Sequence, residues 1–103
     1  MEKDCIFCKI INGDFSTEFV YQNDFLVVFE DINPQAKTHL LVVPRLHVAT
    51  LNDLKDKTLM AELLAGVKTV TKQIGLQSYK TLINTGKKAG QEVFHLHLHI
   101  LGE

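Results

Sequence analysis

The segment Phe94-His-Leu-His-Leu-His-Ile100 alternates apolar and imidazole side chains without a break. A period of two belongs to an extended strand; a helix scatters the same three histidines around its axis. The spacing predicts a strand over 93–101, with His95, His97 and His99 on one face and Phe94, Leu96, Leu98 and Ile100 on the other. An apolar face of this kind needs a second layer to cover it. The middle of the chain supplies one. Leu59, Leu63, Val67, Val70 and Ile74 recur every three or four residues, predicting an amphipathic helix over roughly 53–74 that Gly75 caps.

The remaining elements are short. Residues 4–11 read as a helix with Asp4 as N-cap and Ile6, Phe7, Ile10 and Ile11 on one face, stopped by Asn12-Gly13-Asp14. Residues 18–22 and 25–30 read as strands joined at Asn23-Asp24, a hairpin signal. Asp31 to Gln35 is a turn, since the residue before Pro34 avoids the helical region. Strands follow over 38–43, ended by Pro44, and over 79–84, with a flexible loop over 86–91. Gly66 lies inside the long helix at a cost of about 1 kcal/mol relative to Ala. It marks either tolerated weakness or the close approach of another helix. The sum is one α+β domain over 1–103, a five-stranded, mostly antiparallel sheet with one long and one short helix.

Charge and cysteine content narrow the partner. Lys and Arg total 11 against 12 Asp and Glu, a net charge of −1. That gives little electrostatic drive toward polymeric nucleic acid and does not resemble a surface built for anionic lipid. No apolar run is long enough to span a bilayer, and the start, Met-Glu-Lys-Asp-Cys, does not read as a secretory signal. The expectation is a cytoplasmic domain whose partner is a small molecule. Cys5 and Cys8, spaced C-x-x-C, are the chain's two cysteines. They fit a redox pair, two buried thiols, or half of a zinc site that needs two further ligands. Spacing alone leaves all three open.

The histidine face also has alternatives. A solvent-facing strand favours Lys, Glu and Thr over three titratable rings. A three-histidine metal centre meets a geometric obstacle, because alternate strand residues lie about 6.6 Å apart and the outer pair about 13 Å. Proton exchange and nucleophilic attack remain, both natural to imidazole near neutral pH. Gly86 and Gly90 in the preceding loop free backbone N–H groups to cradle an anion, and Lys87 and Lys88 carry positive charge or are simply solvated. The combination points to phosphoryl or nucleotidyl chemistry.

His95-Leu-His-Leu-His-Ile-Leu101 resembles the signature of the histidine-triad superfamily, three histidines alternating with apolar residues. The resemblance extends to Gly90-Gln-Glu-Val-Phe94, Asp31-Ile-Asn-Pro-Gln-Ala-Lys-Thr-His39, Pro44-Arg-Leu-His47 and Cys5-Ile-Phe-Cys-Lys-Ile-Ile11, so it covers essentially the whole chain. The N-terminal stretch is similar to the Hint branch, the histidine-triad nucleotide-binding proteins. The resemblance implies that family's fold and a purine nucleoside phosphoramidase or related nucleotidyl hydrolase. The alternatives are a nucleotide-binding regulatory module with little turnover and a zinc-stabilised interaction domain.

By the same resemblance His97 is the nucleophile that forms a nucleotidyl-histidine intermediate. His99 binds the non-bridging phosphate oxygens, and His39 orients and transfers protons. Asp31 holds the ribose hydroxyls, Ile6, Phe7, Ile10, Phe29 and Ile32 enclose the base, and Asn84, Gly90 and Glu92 meet the phosphate. Some relatives with the cysteine pair bind structural zinc, which maps the ligands to Cys5, Cys8, His47 and His95. No organic cofactor is implied. A twofold homodimer is, with the helix over 53–74 and the strand over 79–84 at its interface. The chain departs from many relatives in carrying Glu92 where they have Ser. It also ends at Gly102-Glu103 where many continue.

Overall fold

The computed structural model describes residues 4–103. Its elements are α1 (Ile6–Ile11), β1 (Tyr21–Gln22), β2 (Leu26–Glu30), β3 (Thr38–Pro44), α2 (Lys57–Ile74), β4 (Tyr79–Leu82) and β5 (Leu98–Gly102). The strands form one sheet in the order β1-β2-β3-β5-β4, every neighbouring pair antiparallel. This is the expected α+β architecture. The β2–β3 hairpin and the β3–β5 pairing put the histidine strand in the sheet's interior, between β4 and the central strand β3 that carries His39.

Strand alternation sorts the interior into two clusters. On one face Leu26, Val28, Leu40, Val42, Leu98 and Ile100 pack beneath Leu59, Leu63, Val67 and Val70 of α2. On the other, Val27, Phe29, Leu41 and Val43 pack against Cys5, Phe7 and Cys8 at and within α1. The imidazoles share this second face. α2 begins where Asp56 accepts a hydrogen bond from the Leu59 N–H and ends at Gly75, whose φ of 74° is left-handed. That cap places its start at Lys57 and leaves Leu51–Asp53 as a separate 3-10 turn.

Several local readings are corrected. The N-cap of α1 is Cys5, whose sulfur accepts from the Cys8 N–H; Asp4 is not the cap. Gly66 meets no second helix. A Cβ there would stand 2.8 Å from Leu26 Cδ2, so the glycine lets α2 settle onto β2 of its own chain. Phe94 does not join the apolar face and is 44% exposed. The ladder to β3 begins only at Leu98, paired with Val42. β1 and β4 are likewise shorter than the segments 18–22 and 79–84. Residues 86–91 are a closed turn. Gly86 and Gly90, both at left-handed φ, flank a 3-10 turn over Lys87–Ala89 that is tied by internal hydrogen bonds.

Candidate functional site

Three of the five imidazoles are locked by single hydrogen bonds, and those bonds assign where each proton sits. His97 Nδ1 lies 2.8 Å from the carbonyl oxygen of His95. A carbonyl only accepts, so Nδ1 carries the proton and Nε2 keeps a free lone pair. On β3 the Gln35 N–H donates to His39 Nδ1 at 3.0 Å, which puts the His39 proton on Nε2. That Nε2–H faces His99 Nδ1 at 2.9 Å and Asp31 Oδ2 at 3.4 Å. His99 therefore accepts at Nδ1 and presents its own N–H from Nε2. The result is a free imidazole lone pair and an N–H donor side by side, with ring centroids of His97 and His99 5.0 Å apart.

Burial keeps these rings neutral. It lowers the pKa of His97, with the bond to the His95 carbonyl opposing it, and lowers that of His99 to about 4, aided by His97 and His39. The folded chain thus refuses a proton at His99 that the unfolded chain takes up near 6.5. The unfolded state binds more protons in this window, so stability falls as pH drops from about 6.5 toward about 4. Thermal unfolding followed across that range should show a declining Tm, and His99→Gln should flatten the decline. An unchanged slope in the variant would exclude His99 as a cause.

A cleft of about 690 Å³ opens beside this relay. Its lining includes Asp31, His39, Asn84, Gly90, Glu92 and His99, six of the residues expected at the site, together with Lys80 and Leu82 of β4. Asn84 donates to the Ala89 carbonyl and helps close the turn, so it acts on the loop as well as lining the cleft. The apolar residues are distributed differently. Phe7 stands edge-on to His97 at 5.0 Å and to Phe29 at 5.7 Å, with Ile10 packed on the same cluster. Ile6 lines a second cavity with Asp4, Cys5, His47, Glu92, Val93 and Phe94. Ile32 is 91% exposed beside Asp31.

The second cavity reaches a cluster of four candidate ligands, two thiols and two imidazoles. Cys5, Cys8, His47 and His95 bring their sulfur and nitrogen atoms within 4.8 Å of one another. The closest separations are Cys5 Sγ to His95 Nδ1, 3.2 Å, His47 Nδ1 to His95 Nδ1, 3.2 Å, and Cys8 Sγ to His47 Nδ1, 3.4 Å. A tetrahedral zinc with bonds of about 2.0 and 2.3 Å spaces N–N neighbours by about 3.3 Å and N–S neighbours by about 3.5 Å. The donor set fits such an ion. His95, fully buried, donates from Nε2 to the Pro44 carbonyl at 2.8 Å, which aims the Nδ1 lone pair into the cluster. Burial pushes the Cys5 thiol up, the direction an ion must reverse to bind it.

Asp31, His39 and His99 also converge within 4.8 Å. Chemistry separates them from the first group. Because Gln35 donates to His39 Nδ1, a metal on Nε2 would demand either an imidazolate or two opposed N–H groups. This triad is built for a proton.

One residue at the site escaped the sequence reading. Gln91, between Gly90 and Glu92, is buried and uses its whole carboxamide to join the glycine turn to its neighbours. Its signal was an amide flanked by loop residues, which spacing alone does not distinguish from a solvated one. The Pro44 and His95 carbonyls and the Gln35 N–H have no sequence signal, because they are backbone.

Comparison with known proteins agrees with this geometry. The HIT domain family model matches residues 12–103. Protein HitA of Neisseria gonorrhoeae is 44% identical over 102 residues, covering 96% of this chain and 95% of that protein. The purine nucleoside phosphoramidase of Escherichia coli is 35% identical over 106 residues, covering 99% of this chain and 89% of that one. The structure of a histidine triad protein from Clostridium difficile superposes with a TM-score of 0.95 at 38% identity, covering 100% of this chain and 93% of that chain. Sequence, sheet and paired histidines lead to one conclusion: the chain belongs to the HIT domain family.

Proposed function

We propose that the protein is a hydrolase of purine nucleoside phosphoramidates, cleaving at the α-phosphate through a nucleotidyl-His97 intermediate. The observation that carries this is the hydrogen bond from His97 Nδ1 to the His95 carbonyl, which leaves Nε2 free to attack. In the first step Nε2 bonds to phosphorus, the bond to the leaving amine breaks, and the amine departs with a proton taken from solvent, which the attacking water of the second step gives back. The adduct is an imidazolium whose charge the His95 carbonyl and the phosphoryl oxygens stabilise. Water then attacks phosphorus, restores His97 and releases the nucleoside monophosphate. The His99 Nε2–H suits a non-bridging oxygen, with His39 holding that tautomer. Asp31 suits the ribose hydroxyls, and the exposed Ile32 with Phe7, Phe29, Ile10 and Ile6 suits the base. Steady-state turnover of adenosine and guanosine phosphoramidates, with mass detection of the trapped adduct, tests the reading. No turnover of any member of the panel would refute it.

Structural zinc at Cys5, Cys8, His47 and His95 belongs to the same proposal. Four protein ligands leave no open position, so the ion would hold α1 and the residues before β5 together and do no chemistry. A homodimer belongs to it too. β4 is an edge strand, paired on one side with β5, and edges of this kind are normally covered. The α2 and β4 surfaces are the proposed interface, with Gly66 excluded because it faces Leu26. Sedimentation at micromolar concentration should give twice the mass of 11.6 kDa. A stable monomer would refute the dimer.

A further inference from the structure

We propose that Gln91 is a positioning residue for phosphate recognition, holding the Gly86–Gly90 turn at the cleft through a three-way clamp. This inference rests on the reading of the cleft as a nucleotide site. Gln91 is only 3% exposed. A buried carboxamide is tolerated only when its polar atoms are partnered, and here each of them is. Oε1 accepts from the Gly86 N–H at 2.9 Å, and Nε2 donates to the carbonyls of Ala49 at 2.8 Å and Val93 at 3.1 Å.

Those three partners lie on three different segments. Gly86 opens the turn that lines the cleft. Ala49 lies just beyond His47, on the segment after β3. Val93 precedes His95 and His97. The main chain adds a further tie, since the Gln91 N–H donates to the Gly86 carbonyl at 3.1 Å. Residues 86 and 91 are thus bonded in both directions, and the turn is closed as a ring. Gly90 and Glu92, on either side of Gln91, line the cleft with His39 and His99. Backbone N–H groups recognise an anion only where they converge on it, so the side chain that fixes this ring sets the recognition.

The test separates phosphate from the rest of the ligand. Calorimetric binding of GMP and of guanosine to the full chain gives an affinity ratio that measures the phosphate's contribution. Wild type should prefer GMP. Gln91→Met removes the clamp with an apolar side chain of similar length and should cut that ratio about tenfold, the effect of losing one to two hydrogen bonds. Gln91→Asn keeps a buried amide but is too short to span Gly86 and Ala49, and should cut the ratio similarly. It also serves if the methionine variant does not fold. In turnover KM should rise more than kcat falls. A purely structural role would weaken GMP and guanosine alike and leave the ratio intact, which would overturn the proposal. If wild type binds the two ligands equally, the nucleotide reading of the cleft fails and the role of Gln91 falls with it.

Discussion

Substituting His97 by alanine should lower turnover of a purine nucleoside phosphoramidate by at least about 10³-fold, the scale seen when a covalent nucleophile is removed. Binding of GMP should survive within a few fold, because Asp31, His39, His99 and the glycine turn are untouched. The asymmetry is the informative part. A ring that merely filled space beside Phe7 would weaken binding and turnover together. Single-turnover kinetics on the wild type, quenched before the second step, should trap one nucleotidyl group per chain. Turnover above a tenth of wild type in His97→Ala, with no adduct trapped on the wild type, would place the nucleophile elsewhere.

Chelation should produce the second large effect, on stability. At a free zinc concentration a thousandfold above its dissociation constant, linkage contributes about 4 kcal/mol to the folded state. For a chain of this size that corresponds to roughly 15–30 °C in Tm. Cys8→Ser should reproduce the loss, since Cys8 Sγ faces both His47 and His95. His97→Ala should leave metal content unchanged. Activity should fall later than stability, only as the residues before β5 loosen. The measurement is metal analysis beside thermal unfolding of reduced protein. If that protein holds no stoichiometric zinc and takes up none on titration, Cys5 and Cys8 are simply buried thiols.

Much of this architecture was legible in the residues themselves. The period of two from His95 to Ile100 placed the imidazoles and the apolar core on opposite faces, and Gly75 ends α2 by ordinary capping chemistry. Asn23 closes the β1–β2 hairpin by accepting from the Phe25 and Leu26 N–H groups, as its position foretold. What the residues did not disclose was tertiary. Gly66 announced a close approach, but nothing local said that Leu26 would be the neighbour. Phe94 obeyed the alternation on paper and broke it in space, because the ladder to β3 stops short of it. The site's proton pattern was invisible for a simpler reason. It is set by peptide groups, and every residue has those.

That last feature bears on how the fold can change. Two histidines of one chain, His39 and His95, have their protons placed by an amide and a carbonyl of the main chain. No point substitution deletes either group, apart from a proline at position 35, which would take away the N–H. Side chains around the two clusters can therefore drift while the proton placement on the two rings persists. A one-residue insertion between Asp31 and His39 is another matter. It would shift the amide off the ring, free Nδ1, and turn a proton relay into a cage open to divalent cations. Loop length, more than residue identity, guards the chemistry of this cleft.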